Sequence, residues 1–388
     1  MTVERTQKPK IKLIVNAISA QRGGIVTYTL NLLRHMSNSG FTGEIYVPPS
    51  FRERIDDERL DRSGLRDVDL LNLGSFKRLF WEQVNWRRIV TESGADVLYS
   101  SANYAMIRCP IPQILLVQGE ISFNPYYQKA VLPRLGRIER AGYWLRRHMV
   151  LLSMRNSDIV LFPSETSMKS VVRDDPALAE KSFVNYLAAE DALRDMNDAR
   201  AWREEGVLKT LYLSVYYPHK DPLTLIRAIR HLRDSGTDAT ATVTMNDDEF
   251  SHWSTGVDDL RRLREPGNSD FLTLGHVPHK DIRAVLKTHD VLVSTSLAET
   301  FEFPLVEGMA VGLPVIATDI PIHREICGDA ALYFAPGDYQ SLAKRLLQLD
   351  GDTTLRAKLA ERGRARVSRK YSWLRHMQVL HDCVARLG

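Results

Sequence analysis

Cysteine is scarce in this chain: three in 388 residues, Cys109, Cys327 and Cys383, odd in number and far apart. No C-x2-C or Cys/His ligand spacing occurs, which argues against a disulfide scaffold and the usual zinc patterns. A reducing cytoplasm is the simplest setting. Long hydrophobic runs are missing too, since no stretch approaches the roughly 20 apolar residues of a spanning helix. The early run KLIVNAISA is interrupted by Lys12 and Asn16 and is too short for a secretory signal. The chain is therefore expected to be soluble and cytoplasmic, or peripheral on the cytoplasmic membrane face. Charge of one sign is lacking: 52 basic residues face 48 acidic ones, net +4, too balanced for a nucleic-acid partner. The fingerprint G-x-G-x-x-G is absent from the first turn, which argues against a nicotinamide oxidoreductase.

What is present fits two globular halves. Residue count exceeds what one core normally supports, and 44% hydrophobic content is globular. Short β-rich runs alternate with helical patterns. Ile11–Val15, Glu44–Val47, Val97–Tyr99, Ile114–Val117 and Ile159–Phe162 are strands of a first half. Its first helix starts near Ile25 and shows Ile25, Tyr28, Leu32 and Met36 on one face. A second set comprises Thr210–Ser214, Ala241–Met245, Phe271–Leu274, Val291–Ser294 and Pro314–Ala317. The expected class is α/β with two doubly wound halves. The polar segment Ala188–Glu205 is the linker candidate, with a boundary near residue 200.

The most informative stretch is Leu297–Ala317, LAETFEFPLVEGMAVGLPVIA, which follows the buried-strand run DVLVSTS. Glu299 falls just past that strand. Pro304 suits the first position of a helix, where its missing N–H costs nothing, and this places Glu307 in the first turn. Amides from Thr300 through Phe301 and Glu302 to Phe303 would then gather at a helix N-terminus, outside the carboxyl end of a parallel strand. Two carboxylates flanking such amides can accept hydrogen bonds from vicinal hydroxyls, the groups that a ribose and a hexose present.

The stretch resembles the E-x7-E motif, E-G-F-G-x-P-x-x-E-A-M-A-x-G-x-P-V, of retaining glycosyltransferases with the GT-B fold, of the family 4 or "glycosyl transferases group 1" type. The resemblance runs over almost the whole chain. It implies two Rossmann-like domains facing across a cleft, with residues 1–200 on the acceptor side and 201–370 binding a nucleotide sugar. A last helix in 371–388, where Leu374, Met377, Leu380 and Val384 recur at helical spacing, would cross back to the N-terminal domain. By resemblance Glu307 holds the ribose, and Glu299 with the amides after it holds the donor sugar and diphosphate. Thr300 and Glu302 stand where the family has glycines, and Gly308 where it has alanine. A carboxylate at Glu302 would repel a diphosphate if it pointed inward, so it faces solvent or the sugar is held differently.

Phosphate binding calls for amides and cations. Gly23-Gly24 precedes the first helix, a pair that by itself reads as chain reversal; in the family a similar loop closes over donor phosphate. SVYYPHKDPLTLIRAI, Ser214–Ile229, resembles the family's G-R-x-x-x-x-K-G segment and aligns Lys220 with its lysine. Val215 replaces the usual arginine, leaving Arg22 or Arg324 as the candidate compensating cation. The segment Leu274–His279, with Val277, is expected to border the base. On the acceptor side, Gln118 and Glu120 take the place of the family's histidine and aspartate. Gln118 can hydrogen-bond but cannot act as a base, and Glu120 could. Asp67-Val68-Asp69 reads as a charged turn. No metal and no cofactor are expected beyond the nucleotide sugar as co-substrate.

Lys129–Arg155 holds seven basic residues and one Glu, and its helical phase puts Ile138, Leu145, Met149 and Leu152 on one side. Such a helix can rest on an anionic membrane surface, each cation adding about 1 kcal/mol. The expected function is retaining transfer of a sugar from a nucleotide diphosphate to a glycan or lipid-linked acceptor, in polysaccharide or lipopolysaccharide synthesis. The rivals are a sugar-nucleotide epimerase or hydrolase on the same fold and a catalytically silent nucleotide-sugar-binding scaffold.

Overall fold

The computed structural model describes residues 11–21, 23–53, 55, 61–70, 75–194, 206–278 and 281–388. The chain divides into two compact units. One comprises residues 1–120, 145–187 and 373–388; the other comprises 121–144 and 188–372.

The first unit carries a seven-stranded parallel sheet in the order β3-β2-β1-β4-β5-β6-β7. The strands are β1 Ile11–Asn16, β2 Phe41–Val47, β3 Leu65–Asp67, β4 Val97–Ser100, β5 Gln113–Leu116, β6 Ile159–Phe162 and β7 Ser182–Val184. Every residue of β4, β5 and β6 is buried, as expected of central parallel strands covered on both faces. Helix Gly24–Met36 follows β1 and buries Val26, Tyr28, Leu30, Leu32, Leu33 and Met36. Helix Trp373–Ala385 packs against it. The Trp373 ring stacks on His35 with centroids 5.3 Å apart and meets Tyr28 at 5.5 Å. Beneath lies a buried polar chain: Tyr28 Oη is 2.5 Å from Tyr99 Oη and 2.9 Å from His376 Nε2, and His376 Nδ1 is 2.9 Å from the Tyr186 carbonyl.

The second unit carries a six-stranded parallel sheet, β10-β9-β8-β11-β12-β13. Its strands are β8 Leu208–Tyr212, β9 Ala239–Val243, β10 Leu272–Leu274, β11 Val291–Ser294, β12 Val315–Thr318 and β13 Ala331–Phe334. The order fixes one adjacency that matters for chemistry: β8 lies beside β11, and the chain winds away from that pair in opposite directions. Ligands gather outside the carboxyl ends of strands at such a switch point.

Several expectations change. The sequence reading sets one boundary near residue 200, whereas the contacts divide at 187/188 and place 121–144 in the second unit. The physical reason is an apolar cluster in which Ile121, Tyr127, Val131, Leu135 and Tyr143 surround Leu297 and Ala298. Within the linker candidate, residues 195–205 lie outside the described ones. Strands β3, β7 and β13 are additional to the anticipated set. Asp67 is the last residue of β3 and pairs with Arg52 at 2.7 Å, so it belongs to a strand end rather than a turn. The basic helix is Arg137–Arg155, and its buried side is Tyr143, Val150 and Met154. Ile138 is 89% exposed, Leu145 54% and Leu152 46%; of the apolar side picked out by the periodicity, these three face solvent and Met149 is half-buried.

Candidate functional site

The carboxyl end of β8 leads into the loop that carries Lys220. Two hydroxyls fix this loop. Tyr212 Oη donates to the Lys220 carbonyl at 2.6 Å, and Thr295 Oγ1, from the loop after β11, donates to the same carbonyl at 3.0 Å. Asp221 follows with φ 46°, in the left-handed region, at the position where the family segment has glycine. Asp tolerates that region better than most residues, and Thr224 Oγ1 steadies it by donating to its carboxylate at 2.6 Å. Pro222 then opens the helix Pro222–Asp234.

The loop after β11 brings Glu299 to Lys220. Nζ lies 2.5 Å from Glu299 Oε1, and both side chains are buried. Glu302 stands at the head of the next helix, Phe303–Ala310, without a side-chain capping bond. The helix begins one residue earlier than expected: Phe303 is first, Pro304 second, and Glu307 fifth, past the first turn. Thr300 and Phe303 are half-buried; Phe301 is buried, edge-on to Phe303 at 5.4 Å and to Tyr371 at 5.9 Å.

Glu302 neither faces solvent nor lies open to a ligand. It is 2% exposed. Ser294 Oγ donates to both its oxygens at 2.9 Å, Lys220 Nζ is 3.7 Å from Oε1, and His323 Nε2 is 2.7 Å from Oε2. His323 is supplied by the helix Pro321–Cys327 after β12. Its Nδ1 lies 2.9 Å from the Thr318 carbonyl. His219, beside Lys220, puts Nε2 3.8 Å from Glu299 Oε1.

Burial raises the cost of every charge here, and the neighbours decide the outcome. For Lys220, burial alone would favour the neutral amine, yet Glu299 and Glu302 together hold the ammonium well beyond its ordinary range. Burial lifts the Glu299 carboxyl above its ordinary range despite Lys220. Burial also works against ionised Glu302, but Lys220 and His323 outweigh it and hold that carboxyl down at about 2. Burial, reinforced by the Lys220 charge, keeps His219 neutral. Glu307 is buried: burial and the nearby Glu190 push its carboxyl up to about 8. Gly308 also has a local reason, since a Cβ there would stand 2.7 Å from Leu292 Cδ2.

The remaining sequence candidates are distributed as follows. Val277 is half-buried in the loop after β10; His279 lies outside the described residues. Arg324 is paired with Asp319 at 2.7 Å and lies 3.8 Å over the Tyr333 ring, so its charge is already engaged. Arg22 lies outside the described residues, and Val215 is 36% exposed. In the first unit, Gly23 has φ 67° and caps helix Gly24–Met36, both glycines being exposed. Gln118 Nε2 donates to the Ser101 carbonyl at 2.9 Å, and Glu120 is buried rather than solvated. The second unit thus unites Lys220, Glu299 and Glu302, and adds His323, His219, Ser294 and Tyr212, which the sequence reading did not name. The available signal for His323 was its place in the first turn of the helix that follows the strand beside β11. Among the described residues, no group of His, Cys, Asp and Glu could hold a metal ion, and no helix is long and apolar enough to cross a membrane.

Comparison with known proteins agrees with this geometry. Residues 208–352 match the family described as glycosyl transferases group 1. The chain is similar to O-antigen chain mannosyltransferase B of Escherichia coli, 31% identical over 126 residues, a match spanning 32% of this chain and only 32% of that protein. It is similar over greater length to phosphatidyl-myo-inositol mannosyltransferase of Mycolicibacterium smegmatis, 24% identical over 378 residues, 90% of this chain and 87% of that protein. The solved structure of Anabaena HepE in complex with UDP-glucose matches with a TM-score of 0.73 at 17% identity, covering 97% of this chain and 100% of that one. These likenesses establish the fold as GT-B.

Proposed function

We propose that this chain, whose residues 208–352 match the glycosyl transferases group 1, is a retaining glycosyltransferase that moves a sugar from a nucleoside diphosphate to a hydroxyl of a glycan or lipid-linked acceptor. The observation that carries the reading is the buried Lys220–Glu299 pair, drawn from the loops after adjacent strands β8 and β11 within the matched segment. In this reading the Lys220 ammonium balances charge on the departing diphosphate, and Glu299 accepts hydroxyls of the donor sugar. Amides from Thr300 to Phe303 meet phosphate or sugar at the head of a helix, and Glu307 accepts the ribose hydroxyls. Gly23 and Gly24 leave backbone amides open to phosphate, and Val277 borders the base. Gln118 and Glu120 belong to the acceptor side, the departing phosphate itself taking the acceptor proton. The reaction needs no metal.

HepE binding UDP-glucose and two mannosyltransferases among the relatives support a nucleotide-sugar donor and an acceptor of the cell-surface glycan or glycolipid kind. A peripheral contact with anionic membrane is supported by the solvent-facing Ile138, Trp144, Leu145 and Leu152 on a helix that also carries Arg137, Arg140 and Arg146. Co-sedimentation with liposomes that increases with anionic lipid is the expected result; no dependence on lipid charge removes the membrane contact.

The function is tested by thermal shift against nucleoside diphosphates and their sugars. One base class should stabilise the protein, and the effect should vanish in Glu307→Ala. No shift with any nucleotide overturns the reading. Product that forms only with added acceptor distinguishes a transferase from a hydrolase or epimerase, and NMR assignment of the new anomeric centre tests retention.

A further inference from the structure

The first unit has a switch point of its own. In the order β3-β2-β1-β4-β5-β6-β7, β1 lies beside β4 and the chain winds away from that pair on both sides, and open α/β sheets take ligands outside the carboxyl ends at such a place. Asn16 ends β1, Ser101 to Asn103 follow β4, and Gln118 and Gly119 follow β5. Hydrogen bonds tie these strand ends into one frame. Ser101 donates to the Asn16 carbonyl through its N–H at 3.1 Å and its Oγ at 3.0 Å, and Gln118 Nε2 donates to the Ser101 carbonyl at 2.9 Å. Asn103 is mounted on the same frame with φ 58°, in the left-handed region that residues other than glycine seldom enter. Its N–H donates to the carbonyl of Leu116, the last residue of β5, at 3.1 Å.

The side chain of Asn103 is aimed by its neighbour. Gly119 N–H can only donate and lies 3.2 Å from Oδ1, so the amide oxygen faces Gly119 and the NH2 group faces away. Neither hydrogen of that NH2 group has a partner among the described residues, and Asn103 is half-buried. A residue held in a costly backbone conformation, with its acceptor spent and its donors left over, is arranged to give hydrogen bonds to something outside the frame. The groups named at this edge are the amides of Asn16, Asn103 and Gln118 and the hydroxyl of Ser101; none is a cation, and the buried residue after Gly119 is Glu120. An anionic ligand finds no counter-charge among them, whereas a neutral hydroxyl oxygen accepts from Nδ2 without one. We propose that Asn103 is a binding residue of the first unit, its Nδ2 donating to a hydroxyl oxygen of an uncharged sugar or cyclitol. That this polyol is the acceptor rests on the proposed transferase reading; that Asn103 binds it does not.

The Asn103 side-chain NH2 signals of the intact protein, identified in 15N spectra by their absence from Asn103→Gly, provide the test. Methyl α-glucoside, methyl α-mannoside and myo-inositol serve as neutral probes and glucuronate as the anionic one, each at millimolar concentration. At least one neutral probe should move these signals, and glucuronate should move them less. Asn103→Gly keeps the left-handed backbone and Asn103→Asp keeps an oxygen for Gly119, while both remove the NH2 group. Each should weaken binding of the effective probe about tenfold, the worth of one hydrogen bond, and leave thermal stabilisation by nucleotides unchanged. Signals that no neutral probe moves, or undiminished probe binding to Asn103→Gly, overturn the inference. Glucuronate acting as strongly as the neutral probes overturns the choice of an uncharged ligand. Probe binding at Asn103 without stabilisation by any nucleotide would sink the transferase reading and leave the Asn103 site standing.

Discussion

Each unit buries a histidine between a carbonyl and a second polar partner, and the second partners differ in kind. In the first unit, the hydrogens can be laid out without any charge. His376 Nδ1 donates to the Tyr186 carbonyl, Tyr28 Oη donates to Nε2, and Tyr99 Oη donates to Tyr28. Burial keeps this ring neutral and lowers its titration to about 4. In the second unit, His323 Nε2 stands 2.7 Å from a Glu302 oxygen, and that carboxylate shares a buried cluster with Lys220 and Glu299. A neutral, fully paired network fastens one helix to another at modest cost. A buried cluster of Lys220 with Glu299 and Glu302 is a poor way to gain stability, and such perturbed groups gather where chemistry is done. The contrast separates a fastening from a working site.

The largest expected effect comes from Lys220→Met. Turnover should fall by on the order of 10² to 10³, and loss of the lysine that meets two buried carboxylates should cost about 3–5 kcal/mol in chemical denaturation. Tyr28→Phe, the matching deletion in the neutral network, should cost about 1 kcal/mol. Equal costs for the two variants would dissolve the contrast.

Proton linkage comes next. Folded Glu307 titrates at about 8 against a reference of 4.5. Between those values the folded chain keeps a proton that the unfolded chain has lost, so stability is greatest below about pH 4.5, falls as pH rises to about 8 and is level above. The loss is on the order of 3–5 kcal/mol, and denaturation series across pH should show it disappear in Glu307→Gln. His376 works in the other direction. Its folded value of about 4 lies below the reference of 6.5, so its contribution is present above about pH 6.5 and is lost as pH falls through 4, by about 3 kcal/mol. His376→Gln should flatten that acid limb. Acid and alkaline limbs that respond to the opposite variants would break the assignment of the two networks.

The smallest effect is expected at Gly308. Alanine gains about 1 kcal/mol of helix propensity, but its Cβ would press on Leu292 Cδ2 at 2.7 Å. The two terms oppose, and a net change within about 1 kcal/mol should follow by thermal melt. A much larger loss would mean that Leu292 cannot yield.

Much of this was legible in the residues. Continuous apolar runs such as IVLF and VLVS declare strands covered on both faces, and they lie where expected. Three-residue strands at or near sheet edges, β3 and β7, leave too little pattern to see. The basic helix shows a different limit. It has two apolar sides, Tyr143 with Val150 and Met154, and Ile138 with Leu145 and Leu152, and periodicity identifies faces without saying which one is covered. At the site, Lys220 and Glu299 could each be named from a motif, but not their ion pair. The burial of Glu302 could not, because its partners arrive from β11 and from the helix after β12, and only the parallel register of β11 with β12 brings them together.

The helix Trp373–Ala385 carries a consequence for the order of events in the cell. Trp373 and His376 complete the core that Tyr28, Tyr99 and Tyr186 begin, yet the ribosome adds them only after every strand of the second unit. Domains usually fold as they emerge, first one and then the next. Here the earlier unit must wait with an unfilled seam until the later one has been made, and a nascent chain halted before residue 373 would expose that seam to chaperones.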